Sequence, residues 1–254
     1  MSNLLSAISV GALVGLASGY LGSLMVLRRM SLVGDALSHV ALPGLALGLM
    51  FSFNPFLGAF GALILATVLI WVIENQTKLP TETLVGIFFT LSLAIGLLIT
   101  PEPELLEALF GDISKTGATE AILAGALSLV AILAGHHIYH KLILGTISED
   151  LAKSVRIPTK KMDFIFLVLV SLIVALGIKV VGTLLMGALV IIPAAAAKNF
   201  SKNLRAYANF SALFGLASAV LGIIIAYFTS FPPGPMVVLA SALIFFSTLF
   251  FKRN

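Results

Sequence analysis

The chain has 254 residues, of which 59% are hydrophobic and only 10% are charged. Soluble domains carry about 25% charged residues, so this composition excludes an ordinary soluble enzyme or binding domain and indicates a membrane protein. The absence of cysteine excludes disulfides, thiolate metal ligands and cysteine nucleophiles. The net charge of +4 is spread over the ends of apolar segments, so we expect membrane lipid and no nucleic acid as a partner.

Apolar segments follow one another along the whole sequence, separated by charged or Pro/Gly-rich clusters. A hydrocarbon core of about 30 Å is crossed by a helix of this length, and continuously apolar runs favour helices over a β-barrel. The nine predicted spans cover residues 4–27, 31–50, 55–73, 83–100, 119–141, 162–177, 182–198, 206–228 and 235–251. The predicted fold is an all-α polytopic membrane helix bundle, with residues 1–254 forming one transmembrane domain.

The distribution of positive charge predicts the orientation of this bundle. Arg28 and Arg29 follow the first span and no basic stretch precedes it, which indicates a retained span rather than a signal peptide. With the N-terminus outside, every lysine and arginine except Lys115 and Lys179 falls on the inner side. Because cytoplasmic loops carry an excess of Lys and Arg, we predict an N-out, C-in orientation.

Acidic residues cluster in the longest predicted outer segment, residues 101–120, with the sequence PEPELLEALFGDISKTGATE. One interpretation is a solvated loop. The other is an acidic surface that docks an external partner. The composition of the segment leaves both interpretations open.

The largest predicted inner segment, about residues 142–161, contains a short amphipathic helix in the stretch TISEDLAKSVRI. Thr146 or Ser148 can cap this helix, and the acidic residues that follow suit the positive end of its dipole. Pro158 is expected to end it. Its apolar face consists of residues at four-residue spacing: Ile147, Leu151 and Val155. Either lipid headgroups or a cytoplasmic partner protein must cover this face.

Asp35 and His39 are two ionisable residues inside the second predicted span. Their spacing of four residues places them on one face of a helix, and His39 stands ten residues beyond Arg29, roughly 15 Å along a continuous helix. An ionisable side chain at such a depth costs several kcal/mol unless it faces a partner or a water-filled path. One interpretation is a hydrogen bond between Asp35 and a neighbouring helix, with His39 merely satisfied.

The other interpretation is a transient ligand pair for a divalent cation. A carboxylate and a neutral imidazole suit Zn²⁺, Mn²⁺ or Fe²⁺, and two ligands are too few to trap the ion. Weak holding is what conduction requires. Pro43 and Gly44 loosen the helix close to the pair, and interrupted helices at membrane depth commonly mark substrate paths.

Other polar and small residues have less specific patterns. His136, His137 and His140 close the fifth span, where they form either an interfacial polar belt or a metal exit site. In the seventh span, Met186 and the kink at Pro193 either pack against neighbouring helices or line a path. The sequence has no phosphate-binding loop, H-E-x-x-H or G-x-S-x-G motif, so we expect no enzyme activity in the chain itself.

Four blocks of the sequence together resemble one known family. RRMSLVGDALSHVALPGLALG at 28–48 resembles the signature of the permeases of bacterial metal-ion ABC importers, which take up zinc, manganese or iron. Three further blocks follow in the family's order: LFGDI at 109–113, ISEDLAKSVRI at 147–157 and VGTLLMGALVIIPAAAA at 181–197. The resemblance covers nearly the whole chain.

The resemblance implies a homodimeric permease in the bacterial cell membrane, paired with cytoplasmic ATPase subunits and supplied by an external metal-binding protein. It implies a transported zinc, manganese or iron ion and no permanently bound cofactor. The family's intramembrane metal ligands fall on Asp35 and His39. Its coupling helix, which docks into the ATPase, falls on Glu149, Asp150, Leu151, Ala152, Val155 and Ile157. The chain departs from the family at Arg156, where a small glycine is usual.

Two other classes of protein are compatible with the same residues. A secondary transporter or channel would use Asp35 and His39 as a proton or ion relay. An intramembrane hydrolase would use Ser38 or His39, although no triad-like pattern supports it.

Overall fold

The computed structural model describes residues 2–100, 108–111 and 118–250, and every regular element in these ranges is a helix. In chain order the helices are α1 (Ser2–Leu27), α2 (Val33–Met50), α3 (Pro55–Thr77), α4 (Thr81–Ile99), α5 (Ala118–Ile147), α6 (Glu149–Ser154), α7 (Thr159–Val181), α8 (Met186–Phe200), α9 (Leu204–Thr229) and α10 (Pro233–Leu249).

Each of the nine predicted spans corresponds to a helix. By length and apolar composition, seven of these helices are able to cross a membrane, namely α1, α2, α3, α4, α5, α7 and α9. The other two are shorter: α8 has 15 residues and α10 has 17. The fifth and sixth predicted spans were too short, because the helices α5 and α7 continue into the polar residues at their ends.

The helices divide into a buried group and an exposed group. Val14 of α1 and Phe166 of α7 are completely buried in the interior. By contrast, α3, α4 and α5 present large apolar side chains on the outside of the bundle: Leu65, Leu98 and Ile122 are 61%, 85% and 73% exposed. An apolar exterior of this kind requires lipid around it, as expected for a membrane bundle.

Glycines allow two pairs of helices to approach to backbone contact. A Cβ on Gly15 of α1 would lie 2.5 Å from the carbonyl oxygen of Gly215 in α9. Gly44 of α2 and Gly58 of α3 likewise face each other's carbonyl oxygens with no room for a side chain. Such contacts replace the hydrophobic driving force that is missing between helices in lipid.

The connection between α7 and α8 is a tight turn that also holds part of the long acidic segment. Gly182 has φ +78°, a left-handed conformation that favours glycine. The amides of Thr183 and Leu184 donate to the carbonyls of Ala108 and Leu109, at 2.9 and 3.2 Å. The residues on either side, 101–107 and 112–117, lie outside the described residues, as do four of the acidic side chains predicted there.

Candidate functional site

Asp35 lies in the first turn of α2 and packs against the start of α8. A Cβ on Gly187 would come within 2.5 Å of the Asp35 Cβ and 2.6 Å of its Oδ1, so only glycine leaves room for this carboxylate. Because α8 begins at Met186, the carboxylate lies beside the positive end of that helix's dipole, which favours a negative charge. Gly187 has no side-chain donor, so it cannot supply the interhelical hydrogen bond considered for Asp35.

Ser38 connects α2 to the turn between α7 and α8. Its hydroxyl, which is completely buried, lies 2.6 Å from the Asp35 carbonyl oxygen and 2.5 Å from the Thr183 carbonyl oxygen. The Thr183 amide in turn donates to Ala108. Ser38 therefore links α2 to the α7–α8 turn and, through that turn, to Ala108 in the acidic segment.

His39 follows one helical turn after Asp35 and is 8% exposed. Its imidazole makes an edge-to-face contact with the ring of Phe89 on α4, with ring centroids 5.2 Å apart. His39 Nδ1 is buried and has no hydrogen-bond partner among the described residues. A buried nitrogen of this kind has a lone pair or a proton available for a ligand.

The depth of the pair differs from the expectation. Residues 28–32 form a turn rather than helix, so His39 stands six residues into α2, about 9 Å from its first residue. The prediction of about 15 Å from Arg29 assumed one continuous helix. Because the chain turns at residues 28–32, the helical distance from Arg29 does not apply to His39. Arg28, in the same turn, pairs with Asp163 of α7 at 2.6 Å.

A cleft of about 520 Å³ opens beside Asp35, between the start of α2 and α4. We call it the α2–α4 cleft. Arg29, Ser31, Leu32, Val33, Asp35 and Ala36 line one wall, and Glu82, Val85, Gly86 and Phe89 line the other. The described residues contain no group of three His, Asp or Glu side chains that could hold a metal ion. Asp35 thus lies in the wall of an accessible space, whereas His39 is not part of that wall.

The three histidines of α5, His136, His137 and His140, are exposed in its C-terminal half. The Tyr20 hydroxyl and His136 Nδ1 are 3.1 Å apart, and the Tyr139 hydroxyl donates to the Leu204 carbonyl at 3.0 Å. These contacts join α5 to α1 and α9, as expected for a polar belt. His136, His137 and His140 belong to no group of three possible metal ligands among the described residues.

Met186 and Pro193 are both buried in α8. The Met186 sulfur fills the space above Gly177 of α7, where a Cβ would collide with it. This contact favours the packing interpretation of Met186 over a path-lining one.

The predicted amphipathic helix is present as α6. Ser148 is its N-cap and accepts from the Leu151 amide at 3.2 Å. Leu151 and Val155 are 48% and 55% exposed, whereas Ala152 is completely buried. Part of the apolar face is therefore uncovered in the chain alone. Asp150 is exposed in the first turn and Ile157 is half-buried just after the helix.

The helix α6 ends before the predicted terminator. It stops at Ser154, four residues before Pro158, because Arg156 adopts the left-handed conformation with φ +58°. The Ile157 amide donates to the Ala152 carbonyl and the Arg156 amide to the Lys153 carbonyl, both at 2.9 Å. This is a Schellman motif, in which glycine is usual at the left-handed position. The turn therefore forms even though Arg156 stands where the family usually has glycine.

The fold defines a multi-pass helical membrane protein, and it places Asp35 and His39 on one helix beside a cleft. The chain matches the model of the ABC 3 transport family over residues 1–252, and it belongs to that family. The high-affinity zinc uptake system membrane protein ZnuB of Haemophilus influenzae is 35% identical, covering 99% of this chain and 98% of that protein. The manganese import system permease protein ScaB of Streptococcus gordonii is 30% identical, covering 96% and 90%.

A solved structure has the same fold. PsaBC from Streptococcus pneumoniae in complex with Fab matches with a TM-score of 0.87 and 30% identity, covering 98% of this chain and 92% of that chain. The resemblance to the permeases of metal-ion ABC importers is thereby confirmed. The chain is a transport permease and a multi-pass protein of the bacterial cell membrane.

Replacing Ser38 with alanine removes the hydroxyl that joins α2 to the Thr183 carbonyl. We expect a loss of about 0.5–1.5 kcal/mol in the free energy of unfolding, measured by thermal denaturation in detergent. Ser18→Ala is the matched control, because Ser18 is equally buried but its Oγ has no hydrogen-bond partner among the described residues. Equal stabilities of the two variants would contradict the proposed link.

Replacing Arg156 with glycine removes the cost of a left-handed side chain. We expect Arg156→Gly to stabilise the α6–α7 connection by about 1 kcal/mol, seen as slower amide hydrogen exchange at Val155–Ile157. Ser154→Gly is the control, since Ser154 is in α6 and glycine there should accelerate exchange. Faster exchange in Arg156→Gly would show that the arginine side chain holds the turn.

Proposed function

We propose that the chain is the membrane-spanning subunit of an ATP-driven importer of divalent transition-metal ions. In this function nine spans cross the membrane with the N-terminus outside and the C-terminus inside, and two copies form the pore. A separate cytoplasmic subunit hydrolyses ATP, and an external binding protein delivers the ion. Zinc and manganese are the favoured cargoes, because relatives that cover nearly the whole chain are named for those metals; iron is the third.

The observation that carries this proposal is the arrangement of Asp35 and His39. A carboxylate beside a helix N-terminus and a buried imidazole with an unpaired nitrogen stand one turn apart on α2. Carboxylates and imidazoles are common ligands of zinc and manganese in proteins, and Asp35 lies in the wall of the α2–α4 cleft. An ion held by two ligands is released easily, which transport requires.

The distribution of ionic contacts supports the proposed orientation. Lys179, one of the two basic residues on the predicted outer side, pairs with Glu120 at 2.5 Å. Arg28 on the predicted inner side pairs with Asp163 and lies 5.3 Å from the Phe166 ring centroid. The charge of Lys179 is thus balanced by Glu120, so this lysine is compatible with the proposed outer side.

The uncovered face of α6 supports an ATPase partner. Leu151 and Val155 leave apolar surface exposed next to a rigid turn, and the helix itself rests on buried Ala152. A short helix whose apolar face is uncovered in the isolated chain fits insertion into a groove of another subunit. The coupling role of Glu149, Asp150, Leu151, Ala152, Val155 and Ile157 is part of this proposal.

Removing either metal ligand should abolish transport without unfolding the protein. We expect Asp35→Asn and His39→Ala to lower the uptake of radioactive zinc and manganese at least about tenfold, equivalent to ~1.4 kcal/mol of lost interaction. Vesicles that contain the permease, the ATPase and the binding protein provide the measurement. Glu74→Gln and His137→Ala are controls outside the α2–α4 cleft. Wild-type rates in both ligand variants would refute the metal-ligand assignment. Uptake driven by a proton gradient without ATPase would instead indicate a secondary transporter.

A charge on the exposed face of α6 should separate the permease from its ATPase. We expect Leu151→Asp to reduce co-purification of the ATPase at least about tenfold, since an aspartate would be buried in an apolar contact. Leu79→Asp is the matched control, because Leu79 is a similarly exposed leucine, 41% against 48%, in another connection. Undiminished co-purification with Leu151→Asp would place the ATPase contact elsewhere.

A further inference from the structure

One face of α4 forms the wall of the α2–α4 cleft opposite Asp35. Glu82, Val85, Gly86 and Phe89 stand at i, i+3, i+4 and i+7, so they form one stripe along the helix. Ion binding by Asp35 and His39 assigns no role to these four residues. Their position across the cleft from a proposed metal ligand raises the question of how the ion leaves the pair.

Phe89 lies between the cleft and His39. The phenyl ring both lines the cleft and contacts the His39 imidazole edge to face, with centroids 5.2 Å apart. Asp35 is itself part of the cleft wall, whereas His39 is 8% exposed. An ion in the cleft therefore reaches the Asp35 carboxylate directly but meets the Phe89 ring before it reaches the imidazole.

Gly86 provides room for this ring to move. A Cβ on Gly86 would meet no atom of the described residues within 4 Å. Long side chains on a helix lean toward its N-terminus and cover the residues three and four positions earlier. Rotation of the Phe89 ring into this open space, three residues earlier on α4, would move the ring away from His39.

Glu82 stands at the exposed end of the same stripe. It lies seven residues before Phe89, about 10 Å along α4, and its side chain is exposed. A carboxylate in the first turn of α4 is favoured by the helix dipole whatever its function, so its position alone proves nothing. Its place in one cleft with Asp35, however, provides a second weak site beyond the pair, and conduction proceeds through such successive sites.

We propose that Phe89 is the gate between His39 and the α2–α4 cleft and that Glu82 is the carboxylate the divalent ion meets next on leaving Asp35 and His39. The role of Glu82 rests on the proposed function, because it requires a transported ion. The role of Phe89 is a statement about access and requires no ion. The two are therefore tested by separate experiments.

The gate is tested by thiol labelling, for which the cysteine-free sequence is suited. His39→Cys introduces a single thiol, whose reaction rate with a small, charged methanethiosulfonate reagent is measured on the full chain in membrane vesicles. We expect Phe89→Ala to raise this rate about tenfold or more, because the thiol becomes accessible. Phe88→Ala is the matched control, since Phe88 packs against the hydrophobic core, and should change the rate by less than about twofold.

A separate single-cysteine variant identifies the side of the membrane from which the reagent enters. Glu82→Cys should react rapidly whether residue 89 is phenylalanine or alanine. The His39→Cys, Phe89→Ala protein should react with reagent added on the same side of the vesicle membrane as Glu82→Cys. An unchanged rate with Phe89→Ala, an equal rise with Phe88→Ala, or reaction from the opposite face would overturn the gate. If Phe89→Ala does not yield folded protein, Phe89→Leu carries the test with an expected rise of about threefold.

The role of Glu82 is tested by metal uptake in vesicles with the complete transporter, using Zn²⁺ and Mn²⁺ as probes. We expect Glu82→Gln to lower uptake about fivefold or more and Glu82→Asp to keep at least about half of it, since the carboxylate is the group required. Glu74→Gln, a carboxylate outside the cleft, should be unaffected. Wild-type uptake by Glu82→Gln overturns this role. Wild-type uptake by both Asp35→Asn and His39→Ala would instead refute the metal-ligand assignment in the proposed function, and the labelling result would stand.

Discussion

The contact between Gly187 and Asp35 is the constraint on which the proposed site depends. Any side chain at position 187 would occupy the space of the carboxylate, so α2 and α8 can approach only because one of them has none there. The same approach places the carboxylate beside the first turn of α8, where its negative charge is favoured. Ser38, one turn further along α2, then binds the carbonyl of Thr183 just before α8. A steric contact and a hydrogen bond thus fix the start of α2 against the start of α8.

This arrangement explains how a membrane helix keeps an aspartate and a histidine at depth. The cost of burying them is reduced because Asp35 faces a cleft and a helix N-terminus rather than lipid. His39 is protected by an aromatic ring, with one nitrogen unpaired among the described residues. The site has a nitrogen without a hydrogen-bond partner in the described part of the chain and is only partly accessible from the cleft. Such a site suits a ligand that must bind and then leave. The surrounding helices contribute mainly apolar side chains to the exterior of the bundle.

Local features of the sequence predicted the parts of the structure that local physics determines. Each predicted apolar run corresponds to a helix, and seven of these helices are long and apolar enough to cross a membrane. The four-residue spacing places Asp35 and His39 on one stripe of α2. The capping residue Ser148 was among the two predicted. The left-handed turn at Arg156 was missed, because arginine gives no signal for a conformation that glycine usually marks. It ends α6 before Pro158 can.

Contacts between distant segments could not be read in the same way. Glu82 and Phe89 line a cleft with Asp35 only because α4 packs against α2, and no sequence signal marks either residue. Their spacing of seven residues was visible, but an apolar helix contains many such stripes. The hydrogen bonds from Thr183 and Leu184 to Ala108 and Leu109 join segments more than 70 residues apart. No periodicity indicates such a pairing, although two of the blocks that carried the family resemblance meet in it.

The glycine contact between α1 and α9 has a mechanical consequence. Where two backbones touch with no side chains between them, sliding or tilting one helix against the other would bring main-chain atoms into collision. α1 and α9 are therefore expected to move as one rigid body during a transport cycle. Gly44 of α2 and Gly58 of α3 meet in the same way, so these two helices are expected to form a second rigid pair. Relative movement is then expected between the two pairs, and Asp35 and His39 would travel with the second one.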